Sequence, residues 1–186
     1  MNRLAALLFA AALFVPLAVG PATVQENGDA WTLRDSYTVK VREVVDGDTV
    51  YIRYRNGIPD ELRLIGVDTP ETAKYRVSPE EFSYPDTDTG KRRLWRAGKA
   101  AEKWLKSRIN TGDVVRIRLD TRSDTRGSYG RLLVYLIDGG TNINRELVRS
   151  GQARVYREGD FTKKQQFLRL ERNAQQADRG LWSGSR

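Results

Sequence analysis

The sequence predicts an α+β fold that is mainly β: a five-stranded barrel with about three packed helices. Five short runs alternate apolar and polar residues, namely Tyr37 to Arg42, Val50 to Tyr54, Leu62 with Leu64, Val115 to Leu119, and Leu132 to Ile137. One long apolar stripe at three- and four-residue steps (Ala97, Ala100, Ala101, Trp104, Leu105, Ile109) lies between the third run and the fourth. Two further helical patterns follow the fifth run. Five strands with one helix between the third and the fourth is the order of a small OB-type barrel.

Taken in order, the chain opens with a basic Met1-Asn2-Arg3, a seventeen-residue uncharged run from Leu4 to Gly20, and the small residues Gly20-Pro21-Ala22. This is a signal-peptide pattern over 1–22, and it predicts a secreted or periplasmic protein. Seventeen apolar residues also approach the length of a membrane span, so an uncleaved anchor is the alternative, and a membrane is a partner only if that segment is retained. A polar linker over 23–36 leads into a folded domain over 37–183. The first strand, Tyr37 to Arg42, runs directly into the turn Asp46-Gly47-Asp48-Thr49. The second and third strands form a hairpin about Asn56-Gly57, a pair suited to a tight turn, and the third ends at Asp68-Thr69-Pro70-Glu71. From Ala73 to Arg93 the periodicity fails and a long surface loop is expected. The helix with the apolar stripe follows and stops at Thr111-Gly112. After the fourth strand, Asp120 to Gly130 reads as a loop; the fifth strand ends at Asp138-Gly139-Gly140. A short helix from about Ile143 to Ser150 turns Ile143, Leu147 and Val148 inward and closes at Gly151. The last helix is expected to begin near Asp160 as N-cap and to use Phe167, Leu168, Leu170 and Ala174, with Trp182 packing back behind it.

Folding the hairpin returns the end of its second strand to the start of its first, so the two acidic turns meet and gather Asp48, Asp68 and Glu71, with Arg63 five residues before Asp68. Clustered carboxylates repel one another, so a fold that gathers them normally supplies a cation or spreads the side chains into water. The chain has no histidine and no cysteine, which removes the ligands that suit zinc or copper and leaves oxygen donors for calcium or magnesium. The same absence leaves acid-base chemistry to a carboxylate, lysine, tyrosine or water, and Glu71 is the candidate. It also rules out disulfides.

The formal charge is +8, and removal of 1–22, whose one charged residue is Arg3, leaves +7. A basic surface of this size suits a polyanion: nucleic acid, anionic lipid or an acidic wall polymer. Nothing in the chain marks an obligate protein partner, and a monomer is expected.

VVDGDTV, RLIGVDTPET, SYGR and LVRSGQARV, followed by a C-terminal helix and Leu181-Trp182, resemble the thermonuclease, or staphylococcal nuclease, family over about residues 37 to 183. The resemblance implies calcium-dependent hydrolysis of DNA and RNA on an OB barrel. It implies that Asp48 and Asp68 hold calcium with side-chain oxygens and Thr69 with its backbone carbonyl. It further implies that Glu71 positions or deprotonates the attacking water, that Arg63 and Arg131 grip the phosphate, and that Asp46 supports the site. One departure stands out: Ser128 occupies the place where the family commonly has a lysine before Tyr-Gly-Arg. Tyr129 is retained to contact a terminal phosphate or stack on a base, and Arg126 is the nearest replacement for the missing lysine. The alternatives are a non-catalytic OB-fold module that binds nucleic acid, and a glycosidase using two carboxylates. Two arginines beside the acids suit a phosphate better than a neutral sugar.

Overall fold

The computed structural model describes residues 36–183, so the predicted leader, and the linker up to Ser36, lie outside the described residues. Eight strands and three α-helices alternate along this span: β1 Ser36–Val44, β2 Thr49–Arg53, β3 Pro59–Leu64, β4 Val67–Asp68, α1 Asp88–Lys106, β5 Val114–Arg118, β6 Leu132–Asp138, β7 Thr141–Asn142, α2 Ile143–Arg149, β8 Arg154–Val155 and α3 Lys164–Gln176. Among the described residues, no helix is long and apolar enough to cross a membrane.

The barrel follows from the alternation. Strands β3, β2, β1, β5 and β6 lie side by side in that order, and a parallel pairing of β3 with β6 closes the sheet on itself. The inward positions are those the sequence marked: Val50, Ile52, Leu62, Leu64, Ile117 and Val134 are all within 1 % of full burial. Each such side chain is worth roughly 1.5–3 kcal/mol when taken out of water. One extra residue in β1, between Val41 and Glu43, breaks the β1–β2 register and lets the strand bend. The hairpin loop is looser than a two-residue turn: Tyr54 N–H donates to Ile58 O, and Gly57 takes a φ of 87°.

The helices differ from expectation at both ends and on the buried face of α1, which ends at Lys106 and leaves buried Ile109 beyond it, and at the start and on the apolar face of α3. Helix α1 starts at Asp88, inside the segment expected to be loop, because Thr87 caps it by accepting from Gly90 N–H at 3.1 Å. Its buried face is Gly90, Leu94, Gly98, Ala101 and Leu105, leaving Ala100 exposed and Trp104 half-buried, since the two glycines let the backbone approach its neighbours. The rest of the 73–93 segment is structured as well, with two 3-10 turns. Phe82 from the second turn packs with Leu94 and Leu181 in a satellite core, against which Val77, Tyr84 and Trp182 also rest. Helix α3 starts at Lys164 rather than Asp160, because the residues before it are committed to other partners. Asp160 pairs with Arg122, Phe161 is buried, and Thr162 N–H and Oγ1 both donate to Asp120. Phe167 and Ala174 are buried as expected, but Leu168 and Leu170 are half-buried and the third fully buried position is Glu171. Helix α2 places Ile143, Leu147 and Val148 inward and adds Asn144, whose amide donates to Ile65 O and Val134 O and whose oxygen accepts from Leu136 N–H.

Candidate active site

Strand register assembles the site where β2 begins, β3 ends and β6 begins. Thr49 stands opposite Arg63 in the β2–β3 ladder, while Leu62 and Arg63 pair with Leu132 and Leu133 across the barrel closure. Arg131, one residue before Leu132, thereby comes beside Arg63, and its Nη1 donates to Thr49 Oγ1 at 3.3 Å. The first acidic turn is folded by its own side chain: Asp48 N–H donates to Asp46 Oδ1 at 3.0 Å, as Asp does in tight turns. Asp48, 2 % exposed, faces inward. Its Oδ2 accepts from both Thr69 N–H and Thr69 Oγ1 at 2.8 Å, joining the two acidic turns directly.

One guanidinium spans the two metal-binding candidates. Arg63 Nη1 pairs with Asp48 Oδ1, and Nη2 donates to Asp68 Oδ1 at 2.9 Å. The other oxygen of Asp68 is held by Arg154, through Nε at 2.8 Å and Nη2 at 2.7 Å. Asp68 and Arg154 are direct partners in the two-stranded β4–β8 sheet, and the Arg154 guanidinium lies 4.9 Å from the Phe82 ring centre. Arg154 belongs to the LVRSGQARV motif, but the sequence assigns it no role and gives no sign of its stack. It is a lone cation between Ala153 and Val155, both fully buried; its partner lies 86 residues away.

Burial raises the Asp46 carboxyl above its ordinary value, against Arg63, hydrogen bonds to Thr49 and Arg131, all of which lower it. Burial likewise lowers the Arg63 guanidinium, with Asp68 and Asp46 pulling it back up and Arg131 adding to the fall. Three carboxylates (Asp46, Asp48, Asp68) therefore face three guanidiniums (Arg63, Arg131, Arg154), and the cluster is formally neutral.

Helix α1 seats the acidic turns by close approach. A Cβ on Gly98 would come within 2.5 Å of Pro70 O and 2.6 Å of Glu71 O, and one on Gly47 within 2.8 Å of Ala101 Cβ and Thr69. Beside Arg63 and Arg131 opens a cleft of about 550 Å³ walled by Gly66, Tyr129, Tyr156 and Phe161. Arg131 stacks 5.6 Å from the Tyr129 ring centre. Of the predicted residues, Asp48, Asp68, Thr69 and Arg63 form one contact network and Arg131 joins it through Thr49. Tyr129 and Glu71 are exposed, and Glu71 makes no side-chain hydrogen bond or ion pair among the described residues. Arg126, the nearest replacement for the missing lysine, is engaged elsewhere: both its terminal nitrogens bond Asp60, and Nη1 also donates to Gly130 O.

No group of three or more acidic side chains among the described residues is close enough to hold a metal ion alone. The donor chemistry still fits a hard divalent cation, since two carboxylates already converge on one positive group and every available donor is oxygen. Water would complete such a shell.

Residues 61–184 match the family model described as staphylococcal nuclease homologue; the Asp46–Thr49 turn lies upstream of that span. Over 161 residues the chain is 40 % identical to an uncharacterized protein of Methanocaldococcus jannaschii, covering 81 % of this chain and 74 % of that protein. It is 30 % identical over 147 residues to the thermonuclease of Staphylococcus hyicus, covering 78 % and 76 %. It is 33 % identical over 150 residues to endonuclease YhcR of Bacillus subtilis, covering 77 % of this chain and 11 % of that much longer protein.

Proposed function

Since this chain belongs to the staphylococcal nuclease homologue family, we propose that it is an exported endonuclease that uses calcium to hydrolyse DNA and RNA with little sequence preference. The observation that carries the metal requirement is the neutral cluster in which Arg63 spans Asp48 and Asp68. The three acid–guanidinium pairs cancel and Glu71 adds one negative charge, so a phosphodiester gains no attraction until a divalent cation turns that deficit into a surplus of one positive charge.

Asp48, Asp68 and the Thr69 carbonyl are the residues that would hold calcium, and the bound ion would supply Lewis-acid polarisation of the phosphoryl group. Arg63 and Arg131 line the cleft and offer planar forks that can take two phosphoryl oxygens each. Arg154 keeps Asp68 oriented while Arg63 engages substrate. Glu71, exposed and uncommitted, is the carboxylate free to orient a water and accept its proton. Tyr129 and Tyr156 in the cleft wall offer ring faces to a base, which any base can use, and nothing in the cleft resembles a groove-reading helix. The leader pattern over 1–22 supports export.

The test is to incubate the chain with single-stranded DNA, duplex DNA and RNA, first with calcium and then with chelator, while following its melting temperature under both conditions. Calcium should permit cleavage and raise the melting temperature of the wild type but not of Asp68→Asn. Cleavage that survives chelation would remove the metal. Binding without cleavage would instead favour a non-catalytic OB-fold module.

A further inference from the structure

The two most exposed large apolar side chains among those described are both tyrosines, and each lies within four residues of a candidate site residue in the chain. Tyr129, 85 % exposed, precedes Arg131 by two residues, and its ring belongs to the cleft already described. Tyr75, 89 % exposed, follows Glu71 by four residues on the 3-10 turn Lys74–Arg76, and no role has yet been assigned to it. The turn is not a frayed end. Trp95 of α1 donates its indole N–H to Thr72 O at 2.8 Å, Lys74 Nζ lies 5.2 Å from the Trp95 ring centre, and Arg76 N–H donates to Ala73 O at 3.0 Å. The turn is thus seated on a helix and still points its largest apolar ring into water, with a cation on either side of it in the chain.

An exposed ring contributes little to the fold, whereas a ring face flanked by cations matches one nucleotide of a flexible strand: base on tyrosine, phosphates on lysine and arginine. We infer that the Lys74–Arg76 turn is a second base-stacking platform, taking an unpaired nucleotide of a strand that runs past Glu71, four residues before Tyr75 in the chain. This rests on the nucleic-acid substrate proposed above and narrows it to single strands or locally opened duplexes, because a paired base is already stacked and cannot reach the ring.

The experiment measures the Kd of a fluorescein-labelled 20-residue oligothymidylate and of a 20-base-pair duplex by anisotropy, in calcium, on the full chain carrying Glu71→Gln to prevent cleavage. Adding Tyr75→Ala should weaken single-strand binding by roughly 5- to 100-fold and leave duplex binding unchanged, while Tyr75→Phe, which keeps the ring face, should bind as the parent does. Single-strand binding unaltered by Tyr75→Ala, or equal losses on both substrates, would overturn the platform. A chain with an intact Glu71 that binds oligothymidylate but cleaves nothing would defeat the nuclease proposal and leave the Tyr75 comparison decisive on its own. A chain that binds neither oligonucleotide would overturn both.

Discussion

Arg154→Ala is the perturbation that most directly tests how the acidic pair is held. The substitution removes two charge-assisted hydrogen bonds, at 2.8 and 2.7 Å, from an Asp68 oxygen that has no other partner among the described residues. Both side chains are largely enclosed, at 12 % and 17 % exposed, so water does not readily replace the lost donor. Hydrogen bonds to charged groups are worth about 1.5–3 kcal/mol, and loss of the stack on Phe82 adds about 0.5–1 kcal/mol. The full penalty of about 3–5 kcal/mol for orphaning a buried charge is not reached, because Arg63 still holds the other Asp68 oxygen at 2.9 Å.

The net expectation is a loss of about 2–4 kcal/mol, which for a domain of this size lowers the melting temperature by roughly 5–15 °C. The assay is thermal and urea unfolding at neutral pH in chelator, so that no divalent ion compensates. Arg154→Lys should recover at most about half, because an ammonium keeps the charge but lacks the fork that bonds through two nitrogens. A melting temperature within about 2 °C of wild type for Arg154→Ala would refute the clamp.

Three further outcomes follow from the same coordinates. Arg63→Ala and Arg131→Ala should each lower kcat on the order of 100- to 1000-fold, as expected for a donor that stabilises transition-state charge; loss confined to KM would assign them to ground-state binding. Gly98→Ala brings a methyl group within 2.5 Å of Pro70 O, so the Thr69–Glu71 segment must shift; turnover should fall markedly, while stability changes by only about 1–2 kcal/mol because the gain in helix propensity offsets part of the overpacking. Asp120 is the pH-dependent case. Burial acts to raise its carboxyl, but hydrogen bonds from Thr162, the Arg122 N–H and Tyr135 outweigh it and hold the carboxyl below its ordinary value. A lowered native pKa contributes stability above the unfolded value of about 4 and loses it as pH falls through the native one. Asp120→Asn should therefore cost about 1–3 kcal/mol at neutral pH, with the gap to wild type narrowing below about pH 4 in unfolding titrations.

What could be read from the sequence divides along the range of the interactions involved. The hairpin with its two acidic turns was legible because its causes are local: alternation fixes which residues face inward, and the loop brings Asp48 and Asp68 to the same end. The start of α1 was obscured because Thr87 caps the helix from within a run of Asp, Thr and Pro that also suits a turn. The start of α3 was misplaced because a good N-cap residue, Asp160, is used in a surface pair with Arg122 instead. The engagement of Arg126 is not legible locally, because Asp60, which takes its fork, lies 66 residues earlier. Burial of Glu171 gave no sign either, since its partners, Val155 N–H and Arg157, belong to a strand of two residues and the turn after it.

Barrel closure explains why the chemistry concentrates at this one point of the wall. Antiparallel β2–β3 pairing sets Thr49 opposite Arg63, and parallel β3–β6 pairing sets Arg63 opposite Leu133, so a single register on each side places the first acidic turn and both candidate phosphate-gripping arginines together. A one-residue slip in β6 would move Arg131 away from Thr49 and turn buried Leu132 and Val134 toward the other face of the sheet. Packing of these side chains, with the Asn144 hydrogen bonds to Leu136 N–H and Val134 O, thus holds the register that aligns the two guanidiniums. Leu132→Ser, which changes no charge but stands beside Arg131, would weaken the site through lost packing in the strand that carries that arginine.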